Sequence, residues 1–288
     1  MALAITDDHS ALAGVVRSFA TAEDLRGWSR TALDRPPAAL PGSWKKLADL
    51  GWLGLHVPEA YGGSGYGLPE LAVVADELGH ALSPGPFLAS AAAAAVLAAH
   101  GTDAQRKSLL AQVVDGSLVV GLALAPRLNR TADGTVDGAG GAVLAGRWAK
   151  RLMLRVDDDI VLVDSDDPAV RLEPATGLDP SLGLSTLTVS GLSPTPDDIL
   201  GTAAATAVRI VRALAAAEAA GGARACLDMA LEYAKVREQF GRTIGGFQAV
   251  KHHLANMLVG AELATAVSWD AARSATAGGR GDVAAAAA

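Results

Sequence analysis

Val236-Arg237-Glu238-Gln239-Phe240-Gly241-Arg242 is the hinge between two long helical runs that together cover Ala203 to Val267. Before it, Val208, Val211 and Leu214 lead into Ala215, Ala216, Ala217, Ala219, Ala220, Gly221 and Gly222. A helix this poor in bulk lets neighbouring backbones approach closely, as at the centre of a bundle or a subunit interface. The run continues through Leu227, Leu231 and Tyr233 and is expected to end at Gly241, with Lys235, Arg237 and Arg242 at its negative end. After Gly245-Gly246, a second helix carries Val250, Leu254, Met257, Leu258, Ala261 and Leu263 as an apolar stripe. Two such stripes cannot bury themselves alone. The expectation is a bundle with only its first two long helices in view, either a piece of a longer chain or a chain completed by a partner. The first is preferred, because the sequence stops inside the Ala284 to Ala288 run with neither cap nor breaker.

Upstream the pattern is helical as far as Gly116. Thr6 caps a helix with Asp7 and Asp8 in its first turn and Leu12, Val15, Val16 and Phe19 at helical spacing. Ser43 opens a short helix carrying Trp44, Leu47 and Leu50, and Trp52 to Pro58 reads as an extended buried connection. Leu68 to Leu82 and the alanine-rich Phe87 to His100 are helices, and Thr102-Asp103-Ala104-Gln105 has the form of a capping box. Tyr61-Gly62-Gly63-Ser64-Gly65-Tyr66-Gly67 lies between helices rather than after a strand, so a turn is preferred to a phosphate cradle.

At Gly116 the period changes. Leu118 to Leu124, Ala142 to Leu144, Leu152 to Val156, Ile160 to Val163, Val170 to Leu172 and Leu184 to Val189 are short apolar runs between Gly, Asp, Asn and Pro. They predict a small antiparallel β-sandwich or barrel. The fold class is therefore α+β, with a helical domain over 1–116, a β domain over 117–200 and a helical domain over 201–288. Asp157, Asp158, Asp159, Asp164, Asp166 and Asp167 lack EF-hand spacing and are read as turn chemistry.

The net charge of −7 argues against nucleic acid. The N-terminus lacks the pattern of a signal peptide, and Arg209, Arg212 and Glu218 interrupt the one run long enough to resemble a membrane span. A cytoplasmic protein is expected. Cys226, the sole cysteine, is read as a small buried hydrophobe rather than a nucleophile. His252-His253 diverge by about 100° on a helix and make no metal site.

Several segments in order resemble the acyl-CoA dehydrogenases: Ile5-Thr6-Asp7-Asp8, Leu50 to Glu59 with Tyr61 to Gly65, Glu77-Leu78-Gly79, and Arg237-x-x-Phe240-Gly241-x-x-Ile244-x-x-Phe247-Gln248. Among subtypes the chain looks most like actinobacterial members, including those with two dehydrogenase-like halves in one polypeptide. The resemblance implies FAD-dependent removal of the Cα and Cβ hydrogens of an acyl-CoA thioester: a carboxylate takes the α-proton, and the flavin accepts the β-hydrogen as hydride. It also implies that Arg237 meets the pyrophosphate of an FAD held mainly by a neighbouring subunit or half. Gln239, Phe240 and Gln248 would meet the rest of that face, since a guanidinium suits a diphosphate and an aromatic can pack beside it. Arg237 as a plain helix C-cap is the competing reading.

The chain departs from the family pattern at the flavin and at the base. Where the family's flavin loop carries hydroxyls and small residues, Ala123-Leu124-Ala125-Pro126-Arg127-Leu128-Asn129 stands here, and the later flavin-covering motif is reduced to Trp148-Ala149-Lys150. Some members place the base before an arginine on the first long helix. Counting back from Phe240 puts that substrate-side arginine at Arg212 and the base at Val211, which takes no proton. Glu218 is nearest in sequence but is expected two turns along, on a different face. No catalytic base is assigned. The expectation is the non-catalytic half or subunit of an acyl-CoA dehydrogenase that completes the FAD site of a related chain in a homo- or hetero-oligomer. A flavin-free scaffold and an acyl-CoA-binding module are the alternatives.

Overall fold

The computed structural model describes residues 6–175, 177–275 and 287–288, with the backbone alone for Pro126, Arg127 and Gly140. Ile5 and most of the closing alanine run lie outside the described residues. The helices come first: α1 (Asp7–Ala22), α2 (Leu25–Asp34), α3 (Ser43–Asp49), α4 (Leu68–His80), α5 (Phe87–His100), α6 (Asp103–Gln105) and α7 (Ala111–Val114). Thr6 and Thr102 both form capping boxes, Thr102 with Gln105 as the spacing predicts. Helix α2, between Asp24 and the Pro36-Pro37 break, was not anticipated; the Asp24 side chain caps it from a left-handed backbone, where no apolar periodicity announces a start. Trp52 to Pro58 is not extended. It winds as a 3-10 turn (Trp52–Gly54) because Gly51 takes a left-handed backbone that lets Gly54 and Val57 bond back three residues. The glycine loop spends its amides inside the protein, Ser64 N–H on the Gly54 carbonyl (3.0 Å) and Gly65 N–H on that of Val57 (2.9 Å), as a turn does.

Six strands follow: β1 (Val120–Arg130), β2 (Val136–Val143), β3 (Arg151–Val156), β4 (Asp159–Asp164), β5 (Val170–Pro174) and β6 (Ser185–Leu192). They form one mixed sheet in the order β4-β3-β1-β2-β6-β5. Every neighbouring pair is antiparallel except β1 and β3. After the β1–β2 hairpin the chain crosses to the far side of β1, and a strand antiparallel to β2 must there run parallel to β1. Of the six aspartates, Asp157, Asp158, Asp166 and Asp167 lie in the connections on either side of β4, while Asp159 and Asp164 are its two end residues and make ion pairs. Asp159 pairs with Arg130 (3.0 Å), Asp164 with Arg151 (2.7 Å), and the Asp167 carboxylate accepts the N–H of Ala169 (2.8 Å). Among the described residues no acidic, histidine or cysteine cluster could hold a metal ion, and no helix is long and apolar enough to cross a membrane.

Helices return as α8 (Ala204–Val236) and α9 (Gln248–Ser274), joined by the hairpin of β7 (Glu238–Gln239) and β8 (Arg242–Thr243). Helix α8 thus ends five residues before Gly241, because the hinge pairs with itself as a two-stranded ribbon instead of continuing the helix. The small residues act as anticipated. Where α4 and α8 cross, a Cβ on Gly79 would collide with the Glu218 carbonyl, and a Cβ on Gly221 with that of Asp76. Around this crossing Ala91, Ala92, Ala93 and Ala94 of α5 are wholly buried, in one core with Leu71, Leu78, Ile210 and Leu214. A second core fills the sheet around Leu152, Leu154, Val161 and Leu187. Cys226 is exposed, a correction: it sits one residue past Ala225, whose side chain takes the inward face of α8 instead. Farther out both long helices keep open apolar faces, with Met229, Tyr233 and Val236 on α8 and Leu258, Val259 and Leu263 on α9 each at least 49% exposed.

Candidate functional site

The hinge gathers four of the five anticipated residues. Arg237 ends α8, and its carbonyl accepts the N–H of Ile244 (2.8 Å), which closes the base of the hairpin. Gln239 faces Arg242 across the ribbon. Between them Phe240 (φ 53°) and Gly241 (φ 77°) both take positive φ, the requirement of a type I′ turn. Glycine does this freely. A phenylalanine in the left-handed region is strained by about 1–2 kcal/mol, yet its ring stands 92% exposed at the tip. Strain that presents an apolar side chain to solvent is not explained by folding, and such outliers collect where a ligand or partner is met. Phe240→Asn, which relieves it, is expected to raise stability by about 1 kcal/mol in urea denaturation while weakening whatever the tip binds.

Around the tip the chemistry is cationic. Arg242 stacks over the Phe247 ring (4.1 Å to the centroid), and Phe247 meets Phe240 edge-on at 6.1 Å. The guanidinium of Arg237 makes no hydrogen bond or ion pair with another described residue. Phe247 begins α9 without a side-chain cap, so the N–H groups of the first turn are left open at the positive end of a long helix. Gln248 is exposed there, and its amide lies 3.0 Å from His252 Nε2. A groove of about 420 Å³ beside the hinge is lined by Leu231, Ala234 and Leu254 together with Lys235 and Lys251. Free amides, a free guanidinium and a projecting aromatic suit a diphosphate joined to a flat ring system.

Arg212 is exposed on α8, about 25 residues or roughly 37 Å along the axis from Arg237, so it belongs to a different surface. Glu218 requires a correction. Helix α8 is unbroken, and a residue seven positions on from Val211 returns to within about 20° of it, so the two share a face. Glu218 has no hydrogen bond or ion pair with another described residue, and burial, with the negative charge of Asp179 added, pushes its carboxyl up to about 7. Sequence distance alone concealed this, because the partner charge comes from the β domain. The stretch at the flavin-loop position is also distinctive. Between Ala123 and Leu128 the β1–β3 register shifts, so β1 spends five steps where β3 spends two. Its Ala123, Leu124 and Ala125 offer no hydroxyl; the side chains of Pro126 and Arg127 lie outside the described residues.

Comparison with known proteins places this geometry. Family models match in two parts, acyl-CoA dehydrogenase N-terminal domain over residues 6–117 and acyl-CoA dehydrogenase C-terminal domain over residues 201–288. Acyl-CoA dehydrogenase IpdE2 of Mycolicibacterium smegmatis is 31% identical over 260 residues, covering 90% of this chain and 73% of that relative. The chain belongs to the acyl-CoA dehydrogenase family. Acyl-CoA dehydrogenase FadE34 of Mycobacterium tuberculosis is 36% identical over 96% of this chain, which spans only 38% of FadE34's length. In the ChsE4-ChsE5 complex of Mycobacterium tuberculosis one chain superimposes with a TM-score of 0.89 at 27% identity, over 99% of this chain and 82% of that one. The acyl-CoA dehydrogenases are flavoprotein oxidoreductases, and FAD is the group to test against these residues. The hinge donors fit its diphosphate half. The described part of the β1 bulge does not fit the flavin ring, because no side chain there donates a hydrogen bond.

Proposed function

We propose that this chain is the flavin-poor half of a paired acyl-CoA dehydrogenase, lending its hinge to an FAD seated mainly in a related half or subunit. The observation that carries this reading is the contrast within one molecule: a hinge with a free guanidinium and a projecting Phe240, and a β1 bulge without hydroxyls. Arg237 binds the diphosphate, the open amides of α9 share its charge, and Phe240, Gln239 and Gln248 pack against the adenine side. When bound, the flavin supplies the hydride acceptor for the β-hydrogen of an acyl-CoA thioester. This chain adds no base at Val211, so the α-proton goes to the partner's carboxylate. Arg212 is proposed to contact the thioester ligand from its own surface. The open apolar faces of α8 and α9 are the natural seat of the related half, and the whole assembly works in the cytoplasm.

The test is Arg237→Ala in the assembled complex, with flavin content read by absorbance against protein. Losing a charge-assisted bond to a diphosphate weakens binding by about 2 kcal/mol, some thirtyfold. Unchanged flavin content would instead favour a scaffold that binds no flavin.

A further inference from the structure

We propose, on the strength of the flavin reading above, that Arg224 is a positioning residue for the hinge: held between Asp76 and Glu77 of α4, it fixes the tilt of α8 and so aims Arg237 at the diphosphate. One nitrogen of the guanidinium, Nη2, lies 3.1 Å from Asp76 Oδ1 and 3.3 Å from Glu77 Oε1. Neighbouring residues of a helix point about 100° apart, so a group that reaches both carboxylates is held from two directions at once. Glu77, with a side chain only 5% exposed, also pairs with Arg17 of α1 at 3.0 Å. Helices α1, α4 and α8 thus meet at one buried carboxylate.

The place of this tie makes it a control of angle as well as of stability. The close approaches at Gly79 and Gly221 set the distance between α4 and α8, and the ion pairs of Arg224, one turn nearer the hinge, resist rocking about that contact. Arg237 lies about 13 residues farther on, roughly 20 Å along the axis. Among the described residues one tie to α4 lies beyond Arg224, between His80 and Asp228 (3.0 Å), and there the Asp228 side chain is 61% exposed and holds weakly. Past Asp228 no hydrogen bond or ion pair joins α8 to helices α1–α7 among the described residues. Helix α9 returns to the same point: its Glu262 and Thr265 line a cleft of about 290 Å³ with Arg17, Asp76, Glu77 and Arg224. Arg224 therefore stands at the root of both helices that carry the hinge. The cleft also lets water reach the two carboxylates once the guanidinium is withdrawn, which limits the cost of removing it.

The test is a double-mutant cycle on the native assembly, with the FAD dissociation constant read from flavin fluorescence. Arg224→Gln should weaken FAD binding about tenfold while Arg237 is present, because a charge-assisted bond tolerates little misalignment. In the Arg237→Ala background, where nothing is left to aim, the same change should cost less than about twofold. Asp76→Asn, which withdraws one anchor and leaves the Glu77 pair, should act in the same direction, and it serves if the glutamine variant folds poorly. Equal weakening in both backgrounds would overturn the assignment, because plain destabilisation does not depend on Arg237. So would flavin lost in Arg237→Ala but kept in both Arg224→Gln and Asp76→Asn. Flavin unchanged in Arg237→Ala would remove the flavin reading itself, and with it this role of Arg224.

Discussion

Gly221→Ala is expected to cost the protein about 3 kcal/mol or more, whereas Gly222→Ala, one position along the same helix, is expected to gain about 0.5–1 kcal/mol. The added methyl is the same in both. At Gly221 it meets the Asp76 carbonyl of α4, backbone against backbone, with no flexible side chain to swing aside; at Gly222 nothing lies within 4 Å. Ordinary overpacking costs about 1–3 kcal/mol because side chains yield. Here two helices must separate, and the core around Leu71, Leu78 and Leu214 must follow them. Valine at Gly221 is expected to consume most of the stability of a domain this size, about 5–15 kcal/mol. Urea denaturation followed by circular dichroism reads both signs. A destabilising Gly222→Ala or a neutral Gly221→Ala would refute the wedge.

The second large effect is a pH dependence with a defined direction. The Glu218 carboxyl sits near 4.5 in an unfolded chain and is raised to about 7 in the fold. Between those values the folded state holds a proton that the unfolded state has released, so stability falls as pH rises. The contribution is complete below 4.5 and gone once the pH has passed 7. At about 1.4 kcal/mol per pH unit it amounts to about 3 kcal/mol. Glu218→Gln cannot ionise, so its stability relative to the unmodified protein should improve by about that amount between pH 4.5 and 8, less the constant cost of burying an amide. Denaturation midpoints for both proteins across this range give the difference directly. A difference that does not vary with pH would show that the Glu218 carboxyl titrates alike in the folded and the unfolded chain.

What the sequence disclosed follows from where the determining contacts lie. Short apolar runs between turn residues marked five of the six strands and the end of β2, and the caps at Thr6 and Thr102 gave helix starts, because those signals are local; the glycine-rich body of β2 carries no such run. The parallel β1–β3 pair was not legible, since it depends on which side of β1 the returning chain takes. The hinge was placed by its motif, but its self-pairing was not, because a bulky Phe240 rarely occupies a type I′ position. Cys226 and Glu218 were misread for two reasons. On a helix packed against several elements, the burial of a residue is set by partners distant in sequence, and seven positions return to the same face.

Helix α8, with 33 residues, is a rod about 50 Å long. It is clamped near Gly221 and carries the hinge about 24 Å farther along, where α9 and the Ile244–Gly246 turn pack beside it. Mechanically the end of α8, the hinge and the start of α9 form one arm. A tilt of about 5° at the clamp swings Arg237 by about 2 Å, more than a charge-assisted hydrogen bond tolerates. The alignment of the hinge is therefore decided where two glycines meet, far from any group the hinge touches.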